Sequence, residues 1–491
     1  MPITLRDYQS RSINIMDSTL QADRAAGVRH KTVCGACVGA GKSVLIAEMA
    51  RRETEVREGR CLIVTHSQEL VMQDARKIAD HLGYMPGVYC AGAGRKDTQE
   101  LITVASVQSL GRNPLRAGDF TKILIDESHC VSPTFQGMYW NILNVQPNAD
   151  VIGFTGTPWR LESGPIYGPG RFFDRLLVDI SIKELQSLGH LVPIVAKARD
   201  VMKAEKLKVR AGEYATEDQD DAIDPKEVME AIKEHAQGRK KIMIFVPGVK
   251  SGNALFDAFT SAENKDPADW VGQVYGHTPG HAREETIDNF KHNGMRFIIN
   301  CGTLTTGFDC PAVDCIILLR RTMSTALLIQ MVGRGLRPCP GVKENVAVLD
   351  YAGNFAIHPA IDEITPPPFG DEKVKKKTQR KCPKCESLCK SHAEVCQSCG
   401  EVLPKQDRAL AFGNAAGMQS SADYEGKVDD FRKMAAMVKA TNKRPVMASI
   451  KFKDRHGHWP TANIGSLAGH PFAWEMAKDE EGIVRRTMLW K

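Results

Sequence analysis

Ala36-Cys37-Val38-Gly39-Ala40-Gly41-Lys42-Ser43 follows the β-branched run Thr32–Cys37 and opens onto an apolar helix face of Val44, Leu45, Ala47 and Met49. Strand, glycine-rich loop and helix in that order are the context of a phosphate-binding loop. Gly39 and Gly41 let backbone N–H groups wrap phosphate oxygens, Lys42 reaches the β and γ oxygens of a nucleoside triphosphate, and the Ser43 hydroxyl is a ligand for Mg²⁺. Ala36 stands where the first glycine of the pattern is usual. An accidental glycine-rich turn is the alternative, and the Lys-Ser pair in this context argues against it.

Such a loop tops a parallel α/β sheet, and short β-branched runs alternate with amphipathic stretches on both sides of it. The expected strands of a first sheet are Thr32–Cys37, Cys61–His66, Leu101–Ser106, Lys122–Ser128 and Val151–Gly156. A second sheet is expected from Lys241–Val246, Trp270–Tyr275, Arg296–Cys301, Val313–Leu319 and Asn345–Tyr351. Gln68–Leu82 and Ala282–His292 carry apolar residues at helical spacing and read as crossover helices, and the acidic interval Gly212–Asp224 reads as an exposed excursion.

At the end of Ile123-Leu124-Ile125, Asp126-Glu127-Ser128-His129 emerges at the carboxyl edge of the first sheet, where ligands of open parallel sheets collect. Asp126 is placed to hold Mg²⁺ through water and Glu127 to orient or deprotonate an attacking water. An acidic pair after a strand is common, and only the phosphate loop beside it makes this one informative.

A chain of 491 residues is too long for one core and implies two or three domains. No run approaches the 18 or so apolar residues of a membrane span, and Met1-Pro2-Ile3-Thr4-Leu5-Arg6-Asp7 lacks a secretory pattern. A soluble, cytoplasmic protein without membrane partners is the expectation. Nine of the 14 cysteines are scattered before residue 340, which argues against a disulfide framework. Residues 1–372 hold 42 basic and 46 acidic side chains, and residues 373–491 hold 23 and 13. The tail is therefore strongly positive on a slightly negative core, which suits a polyanion, although a solvated basic linker is the simpler alternative.

Within that tail, Cys382-Pro383-Lys384-Cys385 and Cys396-Gln397-Ser398-Cys399 are two Cys-x-x-Cys knuckles at zinc-ribbon spacing. Four thiolates close a tetrahedral structural Zn²⁺ and stabilise a segment too short to bury a core. Cys389 and His392 fall outside the spacing. Beyond Gly426, Phe431, Met434, Ala435 and Val438 have helical spacing, and Lys451, Lys453, Arg455 and His456 lie near Trp459. That group is either a basic, aromatic surface for single strands or the core of a small domain.

Leu5-Arg6-Asp7-Tyr8-Gln9, the phosphate loop, Asp126-Glu127-Ser128-His129, Thr155-Gly156-Thr157-Pro158, Leu304–Asp309 and Gln330-Met331-Val332-Gly333-Arg334-Gly335-Leu336-Arg337 occur in the order seen in superfamily 2 helicases. The chain resembles that superfamily over nearly all of residues 3–354. From Gly276-His277-Thr278-Pro279-Gly280 to Leu349–Asn354 it is most similar to the bacterial RadD-like group.

The resemblance implies two tandem RecA-like parallel-sheet domains, 1–190 and 191–358. After them come a basic linker at 359–381, a zinc ribbon at 382–403 and a small, partly helical basic module at 426–491. It implies ATP as substrate, with Gln9 reading the adenine edge and Arg6 or Tyr8 packing on the base. Thr155 and Thr157 would couple the phosphate site to the nucleic-acid track, Gly307 and Asp309 would face the ribose and water, and Gln330 would join the catalytic set. Arg334 and Arg337, expected at a helix start, would be arginine fingers. Thr65-His66, Ser106-Val107-Gln108, Val246-Pro247 and Thr303 would touch strand phosphates. Ser128 and Gly156 depart from the usual residues but stay small, and Arg320-Arg321 departs from the usual Arg-Pro. The implied activity is ATP-driven unwinding or translocation on single-stranded or forked DNA in genome maintenance, with a single-strand-binding protein as partner. RNA remodelling and the motor of a restriction system are the rivals. The latter calls for a nuclease, and the Glu-x-Lys triplets at 263–265 and 425–427 lack a convincing setting for one.

Overall fold

The computed structural model describes residues 4–66, 68–112, 119–132, 136–160, 164–199, 201–202, 207–210, 212–261, 270–305, 308–364, 379–390, 393–396, 398–403, 430–437, 472–478 and 484–490. The chain divides into two compact units, Met1–Leu403 and Pro404–Lys491.

The first unit opens with helix α1 (Asp7–Ala25) and then builds strands β1 (Thr32–Ala36), β2 (Cys61–Thr65), β3 (Gly87–Cys90), β4 (Arg95–Lys96), β5 (Ile102–Ser106), β6 (Lys122–Ile125) and β7 (Asp150–Thr155). A small hairpin of β8 (Trp159–Arg160) and β9 (Gly164–Pro165) precedes β10 (Arg175–Ile180). Helix α2 (Lys42–Arg51) leaves the phosphate loop, and α3 (Gln68–Leu82) crosses from β2 to β3. The sheet order is β10-β1-β7-β6-β2-β5-β3-β4, parallel except for the edge pair β3 and β4. β1, β2, β5, β6 and β7 are buried along their whole length, as expected where helices cover both faces of a parallel sheet.

The second sheet comprises β11 (Ile194–Ala198), β14 (Ile242–Phe245), β15 (Val271–Val274), β16 (Phe297–Asn300), β17 (Cys315–Leu318) and β18 (Val346–Asp350). The hairpin β12 (Val209–Arg210) and β13 (Glu213–Tyr214) lies between its first two strands in the chain. Its order is β11-β18-β17-β14-β16-β15, all parallel. One continuous apolar core runs through both sheets, from Ile13 and Leu45 to Ile298 and Val348. The two sheets therefore share one packed body, with a cleft between their carboxyl edges.

The ten strands read from the sequence all form, each within three residues of its expected ends. β3, β4, β10 and β11 were not expected. β4, β10 and β11 lie at sheet edges, where partial exposure blurs the apolar run that marks an interior strand, whereas β3 is fully buried but is only the four residues Gly87–Cys90. The acidic interval Gly212–Asp224 is also not a free excursion. Gln219 is buried and accepts from the backbone N–H of Arg321, and Glu213 accepts from Thr322 Oγ1 at 2.6 Å and from the backbone N–H of Met323 at 2.9 Å. The Gln219 amide and the Glu213 carboxylate satisfy backbone and hydroxyl donors of the loop after β17, an attraction that no periodicity encodes.

The linker expected at 359–381 begins as ordered chain, with the turn Ile361–Glu363 and a buried Ile361. The segment of the two knuckles forms β19 (Gln379–Lys381) and β20 (Leu388–Lys390), an antiparallel pair. It docks on the edge strand β11 through a bridge between Lys197 and Ser387, and His235 Nε2 lies 3.2 Å from Glu386 Oε2. In the second unit, residues 430–437 are helical and bury Phe431 and Ala435, while β21 (Phe472–Lys478) pairs antiparallel with β22 (Val484–Trp490). Val438, Lys451, Lys453, Arg455, His456 and Trp459, like Gly307 and His392, lie outside the described residues.

Candidate active site

A cleft of about 270 Å³ lies between the two sheets, bounded on one side by Gly39, Gly41, Lys42 and Ser43 and on the other by Asp309, Gln330, Arg334 and Arg337. Asp126 and Glu127 form its floor.

The loop wall depends on two backbone conformations. Gly39 and Gly41 have φ of +88° and +77°, and a Cβ on them would come within 2.7 Å of Leu191 Cδ2 and 2.6 Å of Gln9 Nε2. Glycine is needed here both for the left-handed turn and for close packing. Tyr8 OH and Gln9 Nε2 both donate to the carbonyl of Ala40, at 2.9 and 3.2 Å, so α1 clamps the loop from behind.

Lys42 Nζ reaches Glu127 Oε1 at 3.6 Å. Burial works against the Lys42 ammonium, but Glu127 and Asp126 more than offset it and its pKa lies above the ordinary value. Burial also opposes the Glu127 carboxylate, and Lys42, His129 and Arg334 more than offset it, so Glu127 stays ionised with a lowered pKa. Asp126 behaves differently. Burial, followed by the charge of Glu127, pushes it up to about 6, and its Oδ1 has no hydrogen-bond partner among the described residues. Two adjacent carboxylates are thus separated into an ionised group beside a lysine and a buried oxygen suited to a cation. Glu127 adopts φ +47°, which turns its side chain out of strand direction at a cost on the order of 1 kcal/mol.

His129 links this floor to the next loop, with Nδ1 3.3 Å from Glu127 Oε2 and 2.9 Å from Thr155 Oγ1. Thr155 Oγ1 in turn accepts from the N–H of Thr157 at 3.1 Å. The small residues at 128 and 156 have different reasons. Ser128 is fully buried, and its Cβ lies 2.7 Å from where a Cβ on Gly153 would be, so the spot is crowded. Gly156 has ordinary space, since a Cβ there would sit 3.5 Å from the Ala36 carbonyl and 3.6 Å from Lys42 Nζ.

On the facing wall the two arginines lie at a helix end and not at its start. The helix spans Thr325–Gly333, and Arg334 is its C-terminal cap residue. Leu328, Ile329, Met331 and Val332 bury the helix against its sheet, which leaves Gln330 and the charged residues past its end to face the cleft. Gly333 comes so close to the phosphate loop that a Cβ would lie 2.5 Å from Val38 Cγ1. Arg334 donates to the carbonyls of Phe308 at 2.5 Å and Thr305 at 2.6 Å, and burial pulls its pKa down to about 10. Arg337 pairs with Asp309, and burial lowers its pKa too.

The structure thus brings Gly39, Gly41, Lys42, Ser43, Asp126, Glu127, Asp309, Gln330, Arg334 and Arg337 around one cleft. Arg6 and Gln9 do not line it, because the Gln9 amide is engaged by Ala40 and by the backbone N–H of Arg6 at 3.0 Å. The sequence reading missed His129 as a relay and missed Asp74 and Lys77 of α3, which line the cleft. For Asp74 a signal exists: it interrupts the apolar stripe three residues after Val71 and four before Ile78.

The residues expected to touch a strand stand at the carboxyl ends of both sheets. Thr65 ends β2, Ser106 ends β5, and Gln108 Nε2 donates to the His66 carbonyl, tying those two loops together. Thr303 Oγ1 donates to the carbonyl of Val274 at 3.1 Å.

Away from the cleft, the sulfurs of Cys382, Cys385, Cys396 and Cys399 all lie within 4.8 Å of one another. The pairs Cys382 with Cys399 and Cys385 with Cys396 are 3.7 and 3.6 Å apart. A tetrahedron of Zn–S bonds of about 2.3 Å puts its sulfurs about 3.8 Å apart, so this set has the dimensions of a zinc centre. Cys389 is outside it, its sulfur directed at the Ser387 carbonyl. Among the described residues no helix is long and apolar enough to cross a membrane.

Residues 2–160 match the family described as Type III restriction enzyme, res subunit, and residues 225–339 match the Helicase conserved C-terminal domain. A 51.5 kDa protein of a Lactococcus phage (isolate 7-9) is 26% identical over 386 residues, covering 75% of this chain and 78% of that protein. The Saccharomyces cerevisiae protein IRC3, named as an ATP-dependent helicase, is 27% identical over 379 residues, covering 72% of this chain. The match takes in 52% of IRC3, so the chain spans about half of that relative's length. Among solved structures, a fragment named as an HsdR subunit of a type I restriction enzyme from Vibrio vulnificus shares the fold. It has a TM-score of 0.55 at 20% identity, covering 74% of this chain and 67% of that one. Two RecA-like sheets, the matched restriction-subunit and helicase C-terminal domains and the helicase relatives support an enzyme of helicase type, in which ATP hydrolysis is coupled to helicase activity.

Proposed function

We propose that the chain is a DNA motor of the RadD-like kind that acts on forks or recombination intermediates, with a single-strand-binding protein as its partner. The observation that carries the hydrolytic half is the convergence of Lys42 and Glu127 from one sheet with Arg334 and Arg337 from the other on a single cleft. In this reading the loop N–H groups and Lys42 bind the triphosphate, and Glu127, held ionised by Lys42, orients and deprotonates the attacking water. Arg334 and Arg337 stabilise the charge that develops on the γ-phosphate. Ser43 and Asp126 would hold Mg²⁺, which supplies charge neutralisation at the phosphates when bound; the unpartnered Asp126 Oδ1 fits that role. The contacts Glu127–His129–Thr155 carry the state of the phosphate site toward the strand track.

The charge asymmetry and the ribbon support the nucleic-acid half. The ribbon holds Zn²⁺ through its four cysteines, and the basic residues around it bind phosphates. ATPase rates without nucleic acid and with single-stranded DNA, forked DNA or RNA test the assignment. Stimulation by forked DNA above all others is the expected result, and stimulation by RNA alone overturns it.

A second reading, the motor of a restriction system, is favoured by the match of residues 2–160 to a restriction subunit family. It requires DNA cleavage dependent on ATP, so incubation of methylated and unmethylated plasmid with the protein and ATP separates the two.

A further inference from the structure

Helix α3 turns a second face toward the cleft. Leu70, Gln73, Asp74 and Lys77, at helical positions i, i+3, i+4 and i+7, line the same cavity as Ser43 and Asp126. Asp74 is only 4% exposed, and its Oδ2 is buried without a hydrogen-bond partner among the described residues, as Asp126 Oδ1 is. Lys77 Nζ lies 3.5 Å from the hydroxyl of Ser43.

A buried carboxylate oxygen with no donor is costly, and here two converge on one cleft. A purely structural acid would be expected to find a backbone N–H or an ion pair, as Glu213 and Glu53 do in this chain. Asp74 and Lys77 lie one turn apart on the face of α3 that lines the cleft. Their common neighbours are Ser43 and Asp126, the residues assigned to the cation.

We propose that Asp74 is a positioning residue of the divalent-cation site, an outer-sphere acceptor for the hydration shell of Mg²⁺, and that the Lys77 ammonium at Ser43 competes with that cation. Asp74 thus adds a third carboxylate to the floor formed by Asp126 and Glu127, from a helix outside the phosphate loop and the acidic box. Lys77 opposes metal entry through like charge, so the pair sets the Mg²⁺ concentration at which nucleotide is held. The inference rests on the reading of the cleft as the Mg·ATP site.

The test is ATP binding by calorimetry to the full-length protein, titrated with MgCl₂ and repeated in EDTA. Asp74→Asn, an isosteric change, should raise the Mg²⁺ concentration for half-maximal ATP binding by about tenfold or more, the usual effect of losing an outer-shell partner. Binding in EDTA and the melting temperature should not fall, because the amide keeps the shape of the carboxyl group and that group has no hydrogen-bond partner at Oδ2 to lose among the described residues. Lys77→Met should shift the Mg²⁺ requirement the opposite way. An unchanged Mg²⁺ requirement in Asp74→Asn, or equal loss of binding with and without Mg²⁺, overturns the role of Asp74. A Lys77→Met protein that needs as much or more Mg²⁺ overturns the competition. If the wild-type protein itself showed no Mg²⁺-dependent ATP binding, the reading of the cleft would fail before Asp74 was tested.

Discussion

The two walls of the cleft draw their residues from very different lengths of chain. Gly39, Gly41, Lys42 and Ser43 come from one strand, one turn and one helix start, and their geometry follows from two left-handed glycines. Facing them, Arg334 and Arg337 are aimed by carbonyls of Thr305 and Phe308 and by the carboxylate of Asp309, more than twenty residues earlier in the chain. The loop wall is a local object that any strand-turn-helix with these residues would form. The arginine wall exists only when the second sheet is folded and seated, with Gly333 against Val38. Binding of phosphate should therefore reside in the first wall and acceleration of its transfer in the second.

The sharpest way to break this division is to remove Lys42. Lys42→Ala should reduce ATPase to background and weaken ATP binding, because the loop loses its ammonium; a variant that still hydrolysed ATP would end the phosphate-loop assignment. On the opposite wall, Arg337→Ala or Arg334→Ala should cost about 10³ or more in turnover with modest change in ATP affinity, read from kcat and from equilibrium binding. Were affinity to fall steeply while turnover at saturation stayed normal, the walls would have exchanged roles.

Glu127→Gln should lose about 10²–10⁴ in turnover, as expected for a positioned base, while retaining ATP, which single-turnover kinetics and binding together would report. Near wild-type turnover would remove the water-activating role. Gly333→Ala probes the seam between the walls. A methyl 2.5 Å from Val38 must push the arginine helix off the loop, so a stability loss of about 1–3 kcal/mol in denaturant melts is expected, with ATPase reduced and the isolated loop chemistry untouched.

The smallest effects concern the tail. Cys382→Ser or Cys396→Ser should lose about one zinc per chain by metal analysis, given that four ligands hold it. Because the ribbon docks on β11 through Ser387 and on His235 through Glu386, some loss of stability in the second sheet and its helix should accompany it. Neutralising Lys373, Lys375, Lys376 and Lys377 should flatten the slope of log affinity against log salt by about 0.7 for each phosphate that the protein no longer neutralises on single strands. An unchanged slope would return that run to a solvated linker.

Wherever structure was set by neighbours in the chain, the sequence was enough. Nine interior strands and the edge strand β15 are short runs rich in apolar and β-branched residues, so these ten were visible; the loop needed only its glycines, lysine and serine in order; two Cys-x-x-Cys pairs carried their own spacing. What the sequence left open was settled by contacts between distant residues. The edge strands β4, β10 and β11 depend on a partner to exist, and the acidic interval around Gln219 is held by donors a hundred residues away. The Gln9 amide was taken up by the back of the loop, and Asp74, a carboxylate inside an apolar stripe, was turned into the cleft by the packing of α3. Burial and charge at a point in space are sums over every element that reaches it, and a sequence lists those elements without saying which of them meet.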